Sequence, residues 1–268
     1  MTDYSRNKIC GLLTASELDY FKRGARVEQT LAGNLCWIEG FEELPCGCVL
    51  HNVTTEQIDK FDRWLSQVEK RFANQGACAV RIYFASDIKE YKALLKSYGY
   101  HLSREKGLAM EIDKYEKALI ASRTYPDLRW VEIDTQARLR DRQNLYLSAD
   151  KGPDGHNMNG FRFADFEQLK MESGYMTSFL LYHSQVAVGT VSLSVHNEFA
   201  RLKNLFVHPE FRRQGLARRM TLLILEEARA KRALYFGAYA LEGSQGHDVY
   251  TYCGMKDLIF QTECLKYL

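Results

Sequence analysis

The chain has 268 residues, enough for one large or two medium domains. Hydrophobic residues make up 46% and charged residues 26%, a soluble globular mix, and a formal net charge of +2 is too mild to argue for a nucleic-acid partner. No run approaches the roughly 18 apolar residues of a membrane span, and the N-terminal MTDYSRNKIC lacks the apolar stretch of a secretory leader, so a cytoplasmic protein with no membrane partner is expected.

The seven cysteines are an odd number without repeated metal-ligand spacing. Cys46-Gly47-Cys48 is the one close pair and has no second pair to complete a metal site, so buried reduced thiols and no metal are expected.

Along the first half, Ser16 to Ala25 reads as a short helix with Ser16 as N-cap. Strands follow at Leu35–Ile38 and Cys48–Val53. Thr54 or Thr55 then caps an amphipathic helix carrying Ile58, Phe61, Trp64, Leu65, Val68 and Phe72 at helical spacing. A strand at Ala79–Phe84 leads to a helix opened by Ser86 or Asp87 and ended by Gly99, and then to two short strands at Tyr100–Arg104 and Leu108–Ile112. A charged stretch and Thr124-Tyr125-Pro126-Asp127 mark a boundary between domains at 1–118 and 126–268.

The second half starts with a strand at Arg129–Ile133, followed by helices at Thr135–Ser148 and Ala164–Glu172 around a loop, Lys151 to Asn157. Three strands, Tyr175–Tyr182, Val186–Val195 and Ala200–Val207, are joined by polar turns. A long helix from Gly215, a buried strand at Ala233–Ala240, a helix from Gln245 to Gly254 and a last strand complete the chain. The order mixes antiparallel hairpins with a βαβ crossover, so the fold class is α/β in the α+β sense, with mixed sheets.

The segment from Leu205 to Met220 carries the chemistry. A strand feeds a short loop containing Gly215, and the loop opens a helix. Helix N-termini present unpaired N–H groups at a positive dipole end, and small residues at 215 and 217 let a phosphate come close to the backbone. Arg212, Arg213, Arg218 and Arg219 add positive charge, so this is an anion site suited to a diphosphate. Physics alone leaves the ligand open.

The run Val207-x-Pro209-x-Phe211-Arg212-x-x-Gly215-Leu216-Ala217 resembles the acetyl-CoA motif of the GNAT superfamily (GCN5-related N-acetyltransferases), V-x-P-x-[FY]-[RQ]-x-x-G-[ILV]-[GA]. The resemblance continues through the buried strand to Tyr250-Thr251-Tyr252-Cys253-Gly254-Met255, where Met255 replaces the family's aromatic residue, and covers roughly residues 128–268. It implies an N-acetyltransferase using acetyl-CoA. Arg212, Arg213, Gln214, Gly215, Leu216, Ala217 and Arg218 would hold the diphosphate. Backbone groups at Leu205, Phe206 and Val207 would pair with the pantetheine arm. Tyr250 sits where many members keep the tyrosine that protonates the departing sulfur. The strand 200–204 lacks the glutamate that many members use as base, leaving Glu198, His196, His208, His247, Asp248 or a water chain. The asparagine often found after the fifth strand is also missing, with Gly243 and Ser244 in that region.

The first half resembles a degenerate copy of the same unit: Gly99 to Met110 spans the same eleven positions as Gly254 to Leu265, but nothing in 1–115 matches Arg-x-x-Gly-x-Ala. Two GNAT-like mixed-sheet domains, the N-terminal one without a cofactor loop, are therefore expected. The shared pattern is short, so an unrelated α/β domain stays open. The acceptor is a small-molecule or peptide amine whose identity the sequence leaves open. A regulatory module that binds acyl-CoA without turnover is the competing reading, and nucleic-acid binding through the arginines of 212–232 is opposed by the apolar helix face.

Overall fold

The computed structural model describes residues 3–115, 127–149 and 160–268, with the side chains of residues 3 and 4 left out. The boundary around Pro126 and the Lys151–Asn157 loop fall outside the described residues.

In chain order the elements are α1 (Asp3–Lys22), β1 (Arg26–Gln29), β2 (Asn34–Trp37), β3 (Cys48–Val53), α2 (Phe61–Asn74), β4 (Ala79–Phe84), α3 (Lys92–Ser97) and β5 (His101–Glu111). They continue with β6 (Leu128–Glu132), α4 (Gln136–Leu147), α5 (Gly160–Glu172), β7 (Thr177–His183), β8 (Val186–His196) and β9 (Phe199–Val207). The last four are α6 (Leu216–Ala230), β10 (Tyr235–Leu241), α7 (Gln245–Tyr252) and β11 (Lys256–Tyr267). The fold class is mixed α/β, as expected.

The chain divides into two compact units, Met1–Ser16 with Gly107–Leu258 and Glu17–Lys106 with Ile259–Leu268. The boundaries between the units fall within β5, at Lys106/Gly107, and within β11, at Leu258/Ile259. In the larger unit β6, β7, β8 and β9 run antiparallel, and β10 lies parallel to β9. Its core gathers Val191, Leu202, Met220, Ile224, Phe236 and Ala238. Helix α6 presses directly on β8 at Gly189, where a Cβ would come within 2.5 Å of the Met220 sulfur. In the smaller unit β1, β2 and β3 are antiparallel, β4 lies parallel to β3, and β11 pairs antiparallel with β4. Leu65, Phe72, Ile82 and Phe84 fill its core.

Several local expectations change. The first helix begins at Asp3 rather than Ser16; Ser16 donates its hydroxyl to the Leu13 carbonyl at 2.7 Å, and buried Ile9 and Leu13 supply a helical face hidden among polar neighbours. Neither Thr54 nor Thr55 caps α2: a 3₁₀ turn, Thr55–Gln57, precedes it, and buried Ile58 and Lys60 stay extended until the helix starts at Phe61. The helix expected at Ser86 or Asp87 is a 3₁₀ turn, Lys89–Tyr91, followed by the short α3. Strand β1 carries four exposed residues and gave no apolar signal.

The two short strands expected around Glu105 are one, β5, because its polar middle is a charged sheet face rather than a turn. Gln261 Nε2 donates to Glu105 Oε2 at 2.6 Å, while Arg81 Nε and the Tyr83 hydroxyl donate to Glu263 Oε1 at 2.5 and 3.1 Å. Burial first, then the carboxylates of Glu263 and Glu17, push the Glu105 carboxyl up to about 7; Gln261 and Arg81 oppose them. The folded-state value lies above the unfolded one, so this contribution to stability is complete below about pH 4.5 and is lost as pH rises toward 7. Thermal melts of wild type and Glu105→Gln should show wild type losing ground to the variant between acid and neutral pH; parallel curves would contradict the burial of this proton.

A candidate acyl-carrier site at the start of α6

The site begins with the way β9 leaves its neighbours. On one side it pairs with β10 only from Phe199 to Arg201, opposite Tyr235 to Gly237. Beyond Arg201 the two parallel strands separate. On the other side the pairing with β8 shifts register: Lys203 faces Ser192 and Phe206 faces Thr190, so Asn204 and Leu205 share one partner position. This is a β-bulge, and Asn204 adopts the left-handed φ of 54° that it requires.

After β9, Pro209–Phe211 forms a 3₁₀ turn. Left-handed residues at Arg213 and Gly215, with φ of 62° and 82°, curl the loop into a concave form that gathers backbone N–H groups around anions. Gly215 is the N-cap of α6 and has no side chain to cap it, and the first intrahelical bond runs from Arg219 N to Gly215 O at 3.0 Å. The first-turn N–H groups thus stand at the positive end of a fifteen-residue helix. A Cβ on Gly215 would meet open space, so the constraint there is the backbone angle and the room left for a ligand.

A cavity of about 440 Å³ opens on this loop. Leu205, Phe206, Val207, Phe211, Arg212, Arg213, Gly215, Leu216, Ala217 and Arg218 line one side, and Gln245, Gly246, Asp248 and Val249 from α7 line the other. Among the described residues three arginines and one carboxylate line the cavity, which favours an anion. Arg212 Nε donates to the Val207 carbonyl at 3.1 Å, and the Arg218 guanidinium stacks on Tyr252 at 3.6 Å from the ring centre.

Of the residues expected from sequence, nine line this cavity. Gln214 does not; its amide donates to the Glu210 carbonyl at 3.4 Å and folds the loop on itself. Tyr250 does not either. It lies in the core at 6% exposure, one residue past Val249, and its phenol is raised by burial and lowered by Arg201 at the point where β9 and β10 part. Among the five candidate bases only Asp248 lines the cavity. Glu198 and His196 lie at the far end of β9, with Glu198 paired to Lys8 at 2.5 Å. His208 Nδ1 accepts from Glu210 N, and His247 pairs with Asp257 at 3.0 Å. Ser244, in the region of the missing asparagine, caps α7 by accepting from His247 N at 3.2 Å.

Sequence reasoning missed the α7 wall, whose signal was the Ser244 cap placing the first turn of a helix opposite Gly215. It also missed a buried polar group beneath the bulge. Arg142 (1% exposed) pairs with Glu167 (0%) and donates to Ser178 at 3.1 Å and Ser192 at 3.0 Å. The Tyr146 hydroxyl donates to Glu167 Oε2 at 2.5 Å, and the Asn204 amide donates to Glu167 Oε1.

The second unit offers a contrast. In β3, Asn52 is left-handed at φ 58°, like Asn204 in β9, and a 3₁₀ turn again precedes a helix. Yet β3 stays paired with β4 past the irregularity, through Val53 opposite Phe84 and Ala85 N to Val53 O at 2.9 Å. Its helix is entered through Lys60, an N-cap with an ordinary extended backbone. The split beside β9 therefore has no counterpart beside β3. Both units nonetheless end their short helices on a left-handed glycine, Gly99 at φ 85° and Gly254 at φ 93°.

None of the seven cysteines is in a disulfide, and burial pushes the Cys48 thiol up to about 12. Among the described residues no group of three or more His, Cys, Asp or Glu could hold a metal ion, and no helix is long and apolar enough to cross a membrane.

The fold is that of the GNAT acetyltransferases, in a tandem form. An uncharacterised conserved protein from Staphylococcus epidermidis aligns at TM-score 0.69 and 15% identity, over 93% of this chain and 96% of its own. A GCN5-related N-acetyltransferase from Kribbella flavida aligns at 0.61 and 14%, over 95% and 94%. A tandem GNAT protein from the clavulanic acid biosynthesis pathway aligns at 0.59 and 12%, over 96% and 95%. The acetyltransferase (GNAT) family matches residues 139–255, within the larger unit. No curated protein matches the chain.

Proposed function

We propose that the GNAT domain binds acetyl-CoA at the start of α6 and transfers the acetyl group to a primary amine of a small-molecule or peptide acceptor. The observation that carries the reading is the uncapped, arginine-ringed helix start beside the split between β9 and β10. The main chain of Arg213 to Arg218 would hold the diphosphate, with Arg212, Arg213 and Arg218 neutralising it. The β9 edge at Leu205 to Val207 has no β10 partner and would pair with the pantetheine arm as a strand does, one N–H polarising the thioester carbonyl. The amine nitrogen attacks that carbonyl carbon and the carbon–sulfur bond breaks. Asp248 or water takes the amine proton, and Tyr250 returns one to the leaving thiolate. The contiguous halves 1–118 and 126–268 are proposed as two copies of one GNAT-like repeat, only the second keeping a carrier loop.

Calorimetry with CoA tests the site. Gly215→Glu sets a carboxylate and a non-glycine residue at φ 82° where the diphosphate should lie, and should weaken binding at least tenfold, about 1.4 kcal/mol. A folded variant that binds like wild type would remove the assignment.

A second reading, carrier binding without turnover, is favoured by one fact: among the described residues Asp248 is the only carboxylate lining the cavity. Thiol release from acetyl-CoA across a panel of amines separates the two, since a pure binding module releases none.

A further inference from the structure

We infer that Glu167 is a positioning residue that acts through Asn204 to hold the β9 bulge, and with it the strand edge offered to the pantetheine arm. The inference rests on the acyl-CoA reading of the site and adds to it a residue that the motif does not contain.

Strand side chains alternate, so one inserted residue flips every later side chain to the other face. The insertion at Asn204 and Leu205 therefore decides which faces of Leu205, Phe206 and Val207 meet the cavity. A non-glycine residue in left-handed backbone is costly, though asparagine tolerates it better than most. Here the Asn204 amide is tied to Glu167 Oε1. Glu167 itself is immobile: it is fully buried, paired with Arg142, and takes the Tyr146 hydroxyl at 2.5 Å on its other oxygen. Arg142 is pinned in turn to Ser178 on β7 and Ser192 on β8, the residue opposite Lys203 at the edge of the bulge. The Tyr146 ring packs edge-on against cavity-lining Phe206, at 5.7 Å between centres. Helices α4 and α5 thus clamp both sides of the irregularity. Glu167 is no general base, because its carboxylate is sealed from the cavity and already committed to Arg142.

The test uses the full chain and two ligands, CoA and adenosine 3′,5′-bisphosphate, which shares the nucleotide end and lacks the pantetheine arm. Asn204→Gly keeps the left-handed backbone and removes the tether. We expect CoA to bind about tenfold more weakly, with the KM for acetyl-CoA rising in step and the bisphosphate affinity unchanged. Asn204→Asp, near-isosteric, sets a carboxylate against Glu167 and should show the same selective loss, which covers a failure of the glycine variant to fold. Equal weakening of both ligands, or CoA binding like wild type in both variants, would overturn the inference while leaving the carrier site in place. Wild type that binds neither ligand would overturn the acyl-CoA reading and this inference with it.

Discussion

Tyr250→Phe is expected to lower kcat by about 10²–10⁴-fold, the usual contribution of a general acid, while leaving the melting temperature close to that of wild type. The substitution removes only a hydroxyl; the ring, 6% exposed in the core of the larger unit, keeps its packing. Burial raises the phenol and outweighs the opposing Arg201 guanidinium, so the hydroxyl stays protonated at neutral pH and can donate. Arg201 then favours the phenolate left after the proton has moved to sulfur. It is well placed to do so, at the last residue of β9 paired with β10, where the strands separate. Single-turnover kinetics with acetyl-CoA isolate the transfer step. A variant that transfers at the wild-type rate, with that step limiting, shows that another donor protonates the thiolate. The present geometry makes this a sharp test, because Tyr250 is absent from the cavity wall formed by its neighbours Asp248 and Val249.

The parts legible in the sequence share one physical property: their signal is local. β3 and β4 are short, mostly apolar segments, and their limits match those expected from Cys48–Val53 and Ala79–Phe84. The strand–loop–helix turn at Gly215 is equally local, because only eight residues separate the end of β9 at Val207 from the start of α6 at Leu216. What escaped is assembled from distant segments. Glu167 and Asn204 are thirty-seven residues apart, and a glutamate inside a helix reads as a solvated charge until the fold buries it. The polar middle of β5 reads as a turn until Gln261 and its neighbours supply a charged face. The placement of the C-terminal residues beside β4 is a property of pairing rather than of their composition. Thr262 to Tyr267 lie against Phe84 to Ala79 in the smaller unit, although they close the sequence of the other half.

Arg142→Met should destabilise the protein by about 3–5 kcal/mol, the usual consequence of removing one partner from a buried ion pair. The pair is among the most deeply buried charges of the chain, at 1% and 0% exposure. Methionine would fill much of the volume but leave the Glu167 carboxylate without its counter-charge, and Ser178 and Ser192 without their shared donor. The double variant Arg142→Met/Glu167→Leu removes both charges, and is expected to recover most of the loss because a well-packed apolar pair avoids the desolvation cost. Urea unfolding midpoints, with equal slopes, measure both. A single variant within about 0.5 kcal/mol of wild type, or a double variant as unstable as the single, would show that the pair is not the closed unit described. The recovered double variant also separates folding from function: it lacks the Glu167 oxygen that holds Asn204, so it should be stable and still bind CoA more weakly than wild type.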